Sequence, residues 1–191
     1  MDMDIRKRQP IGVELVKRGV VTEIDVKNAL EYQKDHPSKK IGDILYILNV
    51  CEPKKLIEAI GDIIGTKGIL LTHSKIKIKI TDYISLDVAK KNKVVPFEVS
   101  AGKIKVCFAD TSNRRAVETV RLLLLNKGLI MEKYITFETN IDLILNSFAG
   151  SSESIDLNAD VSGFIDSVIK TAMEKRASDI HIEPMQEGLR V

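Results

Sequence analysis

Long hydrophobic runs are missing from this sequence. None of its 191 residues lies in a stretch approaching the ~20 apolar positions that a membrane span needs, and Leu122 to Leu125 is far too short to be anything but helix core. The first ten residues carry Asp2, Asp4, Arg6, Lys7 and Arg8 and have no apolar segment of signal-peptide length. Cysteine is scarce: Cys51 and Cys107 stand far apart among apolar neighbours and read as buried free thiols, not as a disulfide or a zinc pair. A reducing cytoplasm is the expected compartment. An excess of one charge is also lacking. With 29 Lys and Arg against 27 Asp and Glu, the net charge is only +2, which gives no general pull toward nucleic acid or an anionic membrane. Finally, there is no Gly-x-x-x-x-Gly-Lys-Ser/Thr loop; Gly61 to Lys67 and Gly102-Lys103 both fail its spacing. Without a phosphate cradle the chain is not expected to hydrolyse ATP, and no Ser-His-Asp or Cys-His set can be argued from spacing.

What is present is a duplication. Ile11-Gly12-x-x-Leu15 recurs thirty positions later as Ile41-Gly42-x-x-Leu45, and Val20, Val26, Ala29 and Leu30 are matched by Val50, Leu56, Ala59 and Ile60. Each copy reads as a short helix, a tight turn and a longer helix. Gly19 suits a left-handed helix end, and Asn49 is the best non-glycine substitute there. Thr22 is placed to cap a helix running to about Lys34, and Pro53 suits the first turn of its counterpart. Neither pair can bury its own apolar face, but two packed together can.

From about residue 67 the pattern changes. Ile69 to Thr72 and the alternating Lys75 to Ile80 have period two and predict strands, the lysines marking an exposed edge or, less simply, an anion site. Ser85 to Lys93 predicts a helix, followed by strands Val94–Val99 and Ile104–Ala109 about an Ala101-Gly102 hairpin turn. A helix over Ala116–Lys127, a strand over Ile130–Phe137 and a helix Ile141–Phe148 capped by Thr139 complete the order α-β-β-α-β-α. Gly150 to Ser154 is a small polar linker. Beyond it, Val161 to Met173 predicts a helix behind Asp160, and Ala177 to Glu183 and Leu189 to Val191 predict strands. The expected architecture is α+β: an N-terminal helical tandem-repeat bundle over 1–66, a small α/β sandwich domain over 67–149, a linker over 150–159, and the truncated start of a next domain over 160–191.

Ala177-Ser-Asp-Ile-His-Ile-Glu-Pro184, followed by Leu189-Arg-Val191, resembles the opening of the domain that precedes the ATPase core in type II secretion and type IV pilus assembly ATPases. Val94-Val-Pro-Phe97, Gly102-Lys-Ile104 and Phe108-Ala-Asp110 are similar to the N-terminal α/β domain of the same proteins. The tandem repeat is similar to the MshEN-type domain that binds cyclic di-GMP, whose motif begins Arg-Leu-Gly and ends Leu-x-x-x-Leu-x-x-Gln. The resemblance implies a ligand contacted by Ile11, Gly12, Leu15, Val16, Gly19, Val20, Val26, Leu30 and Gln33 from the first copy. From the second it implies Lys40, Ile41, Gly42, Leu45, Tyr46, Asn49, Leu56 and Ile60. Pro10 replaces the leading Arg, Lys40 the second Arg, Asn49 a Gly and Ile63 a Gln. Arg meets the O6/N7 pair of guanine with a two-donor fork, whereas Lys offers a point charge and Pro nothing. Arg6, Lys7 and Arg8 are candidates to compensate.

The resemblance further implies a non-catalytic regulatory module. Its partners would be its own C-terminal ATPase core, which binds ATP and Mg, neighbouring subunits of a hexamer, and an inner-membrane platform protein that brings it to the inner face of the membrane. The competing expectation is a docking module indifferent to nucleotide. Gly12 and Gly42 fit either close phosphate approach or close helix packing, and Gln33 either a ligand contact or a solvated face. Asp179, His181 and Glu183 share a strand face but read as structural, not as a metal site, and Asp110 reads as a turn cap.

Overall fold

The computed structural model describes residues 9–149 and two short strands, Glu183–Met185 and Gly188–Arg190. The duplication appears as two helical pairs: α1 (Ile11–Lys17) with α2 (Glu23–Asp35), and α3 (Ile41–Ile47) with α4 (Pro53–Ile64). Their short helices end alike. Gly19 has φ 63° and Asn49 φ 51°, and the amides that follow, Val20 and Val50, reach back to the carbonyls of Leu15 and Leu45 at 3.0 and 3.4 Å. This is the six-to-one closure of a helix through a left-handed residue. α2 starts on a capping box, in which Thr22 Oγ1 accepts from the Asp25 amide and Asp25 Oδ2 accepts from the Thr22 amide at 2.8 Å. Leu15, Ala29, Ile44, Leu45, Leu56 and Ile57 fill the bundle core.

The second half holds β1 (Lys67–Gly68), α5 (Leu86–Asn92), β2 (Val94–Ser100), β3 (Lys103–Phe108), α6 (Arg114–Leu125), β4 (Ile130–Ile135) and α7 (Glu138–Ala149). The sheet order is β1-β4-β3-β2, with β2 antiparallel to β3 and the other pairings parallel. Ala101 and Gly102, at φ 48° and 75°, make the tight β2–β3 turn. Pro96 is accommodated on edge strand β2, next to a register shift. The second core gathers Leu71, Ile80, Val94, Val106, Phe108, Val120, Leu124 and Ile141.

The strands expected over Ile69–Thr72 and Lys75–Ile80 do not form. Lys67 and Gly68 pair with β4, the Ile69 amide adds one bond to the Ile135 carbonyl at 2.9 Å, and single 3-10 turns occupy His73–Lys75 and Ile80–Asp82. The segment passes from the β1 edge to the opposite edge, where the Lys77 amide donates to the Phe97 carbonyl at 2.8 Å. Ile76, Ile78 and Ile80 still face the core. Alternation reports an extended chain with one apolar side, and such a chain can lie on a core without joining a ladder.

The described residues 9–149 belong to one compact unit with two cores, and the helical core takes in Ile135 and Phe137 from beyond position 66. The join is backbone on backbone. A Cβ on Gly68 would lie 2.0 Å from the Ile57 carbonyl oxygen, and one on Gly61 would lie 2.4 Å from the Gly68 nitrogen. Tyr46 of α3 also stacks on Phe137, which follows β4, with centroids 4.2 Å apart. The expected Thr139 cap of α7 is replaced. Helix α7 begins at Glu138, and the acceptor at its start is Asp43 of α3, whose Oδ1 takes the Glu138 amide at 2.7 Å. Within residues 150–191, the strand β5 (Glu183–Met185) pairs antiparallel with β6 (Gly188–Arg190). The helix expected over Val161–Met173, its Asp160 cap and the 150–159 linker lie outside the described residues. Among those described, no helix is long and apolar enough to cross a membrane.

Two measurements follow from the join. Gly68→Ala drives a methyl into the α4 backbone and is expected to cost at least about 2 kcal/mol in urea unfolding. Gly65→Ala, at φ 73° with open space around it, costs about 1 kcal/mol. Burial raises the Asp43 carboxyl above the ordinary aspartate value of 3.8, opposed by the Glu138 amide bond. The folded protein therefore holds this proton more tightly than the unfolded chain. The resulting stabilisation is full below about pH 4 and is lost as pH rises through the raised value. Asp43→Asn keeps the acceptor without the charge, so its melting temperature relative to the wild type rises between about pH 3 and pH 7. Asp43→Ala loses the cap and about 1 kcal/mol at either pH.

Candidate functional site

The two helical pairs leave a groove of about 600 Å³ between them, a size in the range of small-ligand sites. The starts of the short helices, Ile11-Gly12 and Ile41-Gly42, line it together. Helix α2 contributes Val26, Leu30 and Gln33, and α4 contributes Ile57 and Ile60. The sheet side adds Thr136 and Phe137, while Pro10, Val13, Lys40 and Asp43 complete the wall.

Of the residues the sequence pointed to, nine meet here: Ile11, Gly12, Val26, Leu30, Gln33, Lys40, Ile41, Gly42 and Ile60. The remaining eight lie off the groove. Leu15, Val20, Leu45 and Leu56 are buried in the bundle core, because amphipathic helices this short spend their innermost stripe on each other. Val16 packs beside them, and Tyr46 is committed to Phe137. Gly19 and Asn49 form exposed turns. Arg6, Lys7 and Arg8 lie outside the described residues. The sequence missed Val13, Asp43, Ile57, Thr136 and Phe137. Asp43 follows Gly42 directly and was legible as a polar residue on an otherwise apolar seven-residue helix; Thr136 and Phe137 reach the groove only through the sheet.

The glycines act first in packing. A Cβ on Gly12 would stand 2.9 Å from a Val26 methyl, and one on Gly42 would stand 2.8 Å from the Ile60 terminal methyl. Both let a short helix lie close to the long one that forms the opposite wall. Gln33 Nε2 donates to the Lys39 carbonyl at 2.6 Å, tying the end of α2 to the start of α3.

Charge in the groove is sparse and internally balanced. Lys40 Nζ lies 2.8 Å from Asp110 Oδ2 and donates to the Ala109 carbonyl at 3.2 Å, so its ammonium is turned toward the β3–α6 loop. Burial pushes the Asp110 carboxyl up, but the hydrogen bonds from Lys40 and Ser112 outweigh it and leave the group below the usual aspartate value. Asp110 also accepts the Ser112 amide at 2.9 Å, the turn-capping role expected of it. Asp43 is buried and spends its charge on the start of α7. Half-buried Cys51 and buried Cys107 are both free thiols, and burial raises each above the usual cysteine value. Among the described residues no three His, Cys, Asp or Glu side chains converge on a possible metal position.

Residues 64–155 match the MshEN domain family. The matched stretch begins at the end of α4 and covers the α/β half, whereas the sequence resemblance to that family rested on the 1–66 repeat. The type IV pilus assembly ATPase PilB of Myxococcus xanthus is 24% identical over 209 residues, covering 95% of this chain and 36% of that protein. PilB of Thermus thermophilus is 28% identical over 127 residues, covering 55% of this chain and 14% of its own length. The chain thus spans little more than a third of one relative and a seventh of the other. A solved structure of MshE with cdg superposes with a TM-score of 0.51 at 20% identity, over 73% of this chain and 99% of that one, which supports the same α+β fold. Taken together, the domain match over residues 64–155 and the two PilB alignments support reading this chain as the N-terminal region of a type IV pilus assembly or type II secretion ATPase.

Proposed function

We propose that this chain is a non-catalytic regulatory module of such an ATPase and that its groove binds cyclic di-GMP. The observation that carries the reading is the open groove itself. Duplicated units could have closed on each other through all their apolar residues, yet Ile11, Val26, Leu30, Ile41 and Ile60 line a space beside Gly12 and Gly42. An apolar slot with few polar groups suits the flat faces of two stacked or splayed guanines, and Lys40 and Gln33 at its wall suit phosphate and base edges. The MshE structure with cdg adds a relative of the same fold in the presence of that ligand.

The charge balance sets the terms of binding. Two phosphates enter a groove whose described cation is already paired, so Lys40 must leave Asp110 to meet them. Further positive charge would come from Arg6, Lys7 and Arg8 just before Pro10. The pairing of Lys40 equally favours the docking reading, in which the apolar slot takes a partner protein without nucleotide. Calorimetry on the full chain separates the two. Saturable heat with cyclic di-GMP, about tenfold weaker affinity in Lys40→Ala and a comparable loss on filling the slot with Leu30→Trp support the ligand site. A folded protein giving no heat rejects it and leaves the docking module.

A further inference from the structure

We infer that α7 carries the state of the groove out of the 9–149 unit, with Asp43 as the link; this rests on the groove being a ligand site as proposed above. Asp43 stands in the groove wall, and its carboxylate Oδ1 accepts the first amide of α7, that of Glu138, at 2.7 Å. The two residues leading into Glu138, Thr136 and Phe137, form another part of the wall. A ligand in the slot therefore touches both the group that caps α7 and the chain that enters it. From there α7 runs to Ala149, the last residue of this compact unit before the chain continues into residues 150–191.

Along its length α7 is tied to the α/β half by contacts outside the groove lining. Lys93 Nζ meets Asp142 Oδ1 at 2.5 Å and Glu138 Oε1 at 3.4 Å. Asn140 Nδ2 donates to the Leu71 carbonyl at 2.8 Å, and the His73 ring bonds Ser147 Oγ at 2.8 Å. The helix is thus held at its start by the groove wall and along one side by the sheet domain.

The coupling is electrostatic. Asp43 is a buried acid in an apolar wall; the amides at the start of α7 stabilise its charge, Lys40 adds a smaller attraction, and the Glu138 carboxylate opposes them. A dianion entering the same slot adds negative charge beside this carboxylate. That makes the α7 amides more necessary to it, so the liganded groove favours the firmly capped helix. Such coupling is reciprocal: whatever loosens α7 from the far side weakens the ligand by the same factor. Lys93 becomes a positioning residue for a site it does not touch.

Hydrogen exchange of the α7 amides, measured on the full chain beside calorimetry with cyclic di-GMP, tests this. Saturating ligand is expected to slow exchange over residues 138–146 by about fivefold or more. Lys93→Met, which cuts the ties to Glu138 and Asp142, is expected to weaken cyclic di-GMP by about fivefold. Lys90→Met, an equal loss of charge on helix α5 three residues before Lys93, leaves affinity unchanged. Normal binding heat with unaltered α7 exchange overturns the inference and spares the ligand site, as does Lys93→Met binding like Lys90→Met. No heat at all removes both. Should Lys93→Met fail to fold, the ligand's effect on wild-type α7 decides alone.

Discussion

The structure depends on the close approach of α4 to β1, where Gly61 and Gly68 bring two backbones to a separation that no side chain would allow. Without that contact the helical repeat and the sheet would be separate bodies joined by a tether. With it, β1 is laid beside β4, and the residues just after β4 are delivered to the rim of the repeat. Thr136 and Phe137 reach the groove because of two missing methyl groups some seventy residues earlier in the chain. The Tyr46–Phe137 stack and the Asp43 cap then lock an alignment that the glycines permit.

The groove is what remains of an imperfect symmetry. Leu30 and Ile60 occupy equivalent positions and both line the slot, but Val26 lines it while its counterpart Leu56 is buried, and Gln33 lines it while Ile63 packs elsewhere. The asymmetry has one cause: the sheet covers the second unit on one side and leaves the first more open. Burial consumes apolar residues of α3 and α4 that their equivalents in α1 and α2 keep available. Exposed Leu30 and Val13 follow from this, and the groove opens toward the first unit's long helix.

Charge plays a quieter part. Both ionised groups in the wall already have partners on the α/β half, Lys40 with Asp110 and Asp43 with Glu138. The half-exposed Lys40–Asp110 pair contributes modestly to stability, whereas the Asp43 bond is buried. Their consequence is connection: each polar event in the slot is shared with a loop or a helix beyond it.

The sequence by itself determined the local structure wherever a residue's own backbone preference or the period of its neighbours decided the outcome. The thirty-residue repeat, the left-handed turns at Gly19 and Asn49, the Thr22 cap, the Pro53 start and the Ala101-Gly102 hairpin were all readable. So was the α-β-β-α-β-α order, because each is settled within a few bonds of chain. It also named more than half of the groove residues, since a repeated Ile-Gly pair marks equivalent places in equivalent units. Tertiary structure alone decided what each apolar residue faces. Period 3.6 shows that Leu15, Leu45 and Leu56 share the inner stripe with Ile41 and Ile60, but not which of them meets another helix and which meets the slot. Nor could it show that Lys75 to Ile80 lies extended without a ladder, that α7 is capped from α3 and not by Thr139, or that Lys40 turns to Asp110. Each of those is a contact between residues tens of positions apart, and such contacts exist only after the backbones at Gly61 and Gly68 have met.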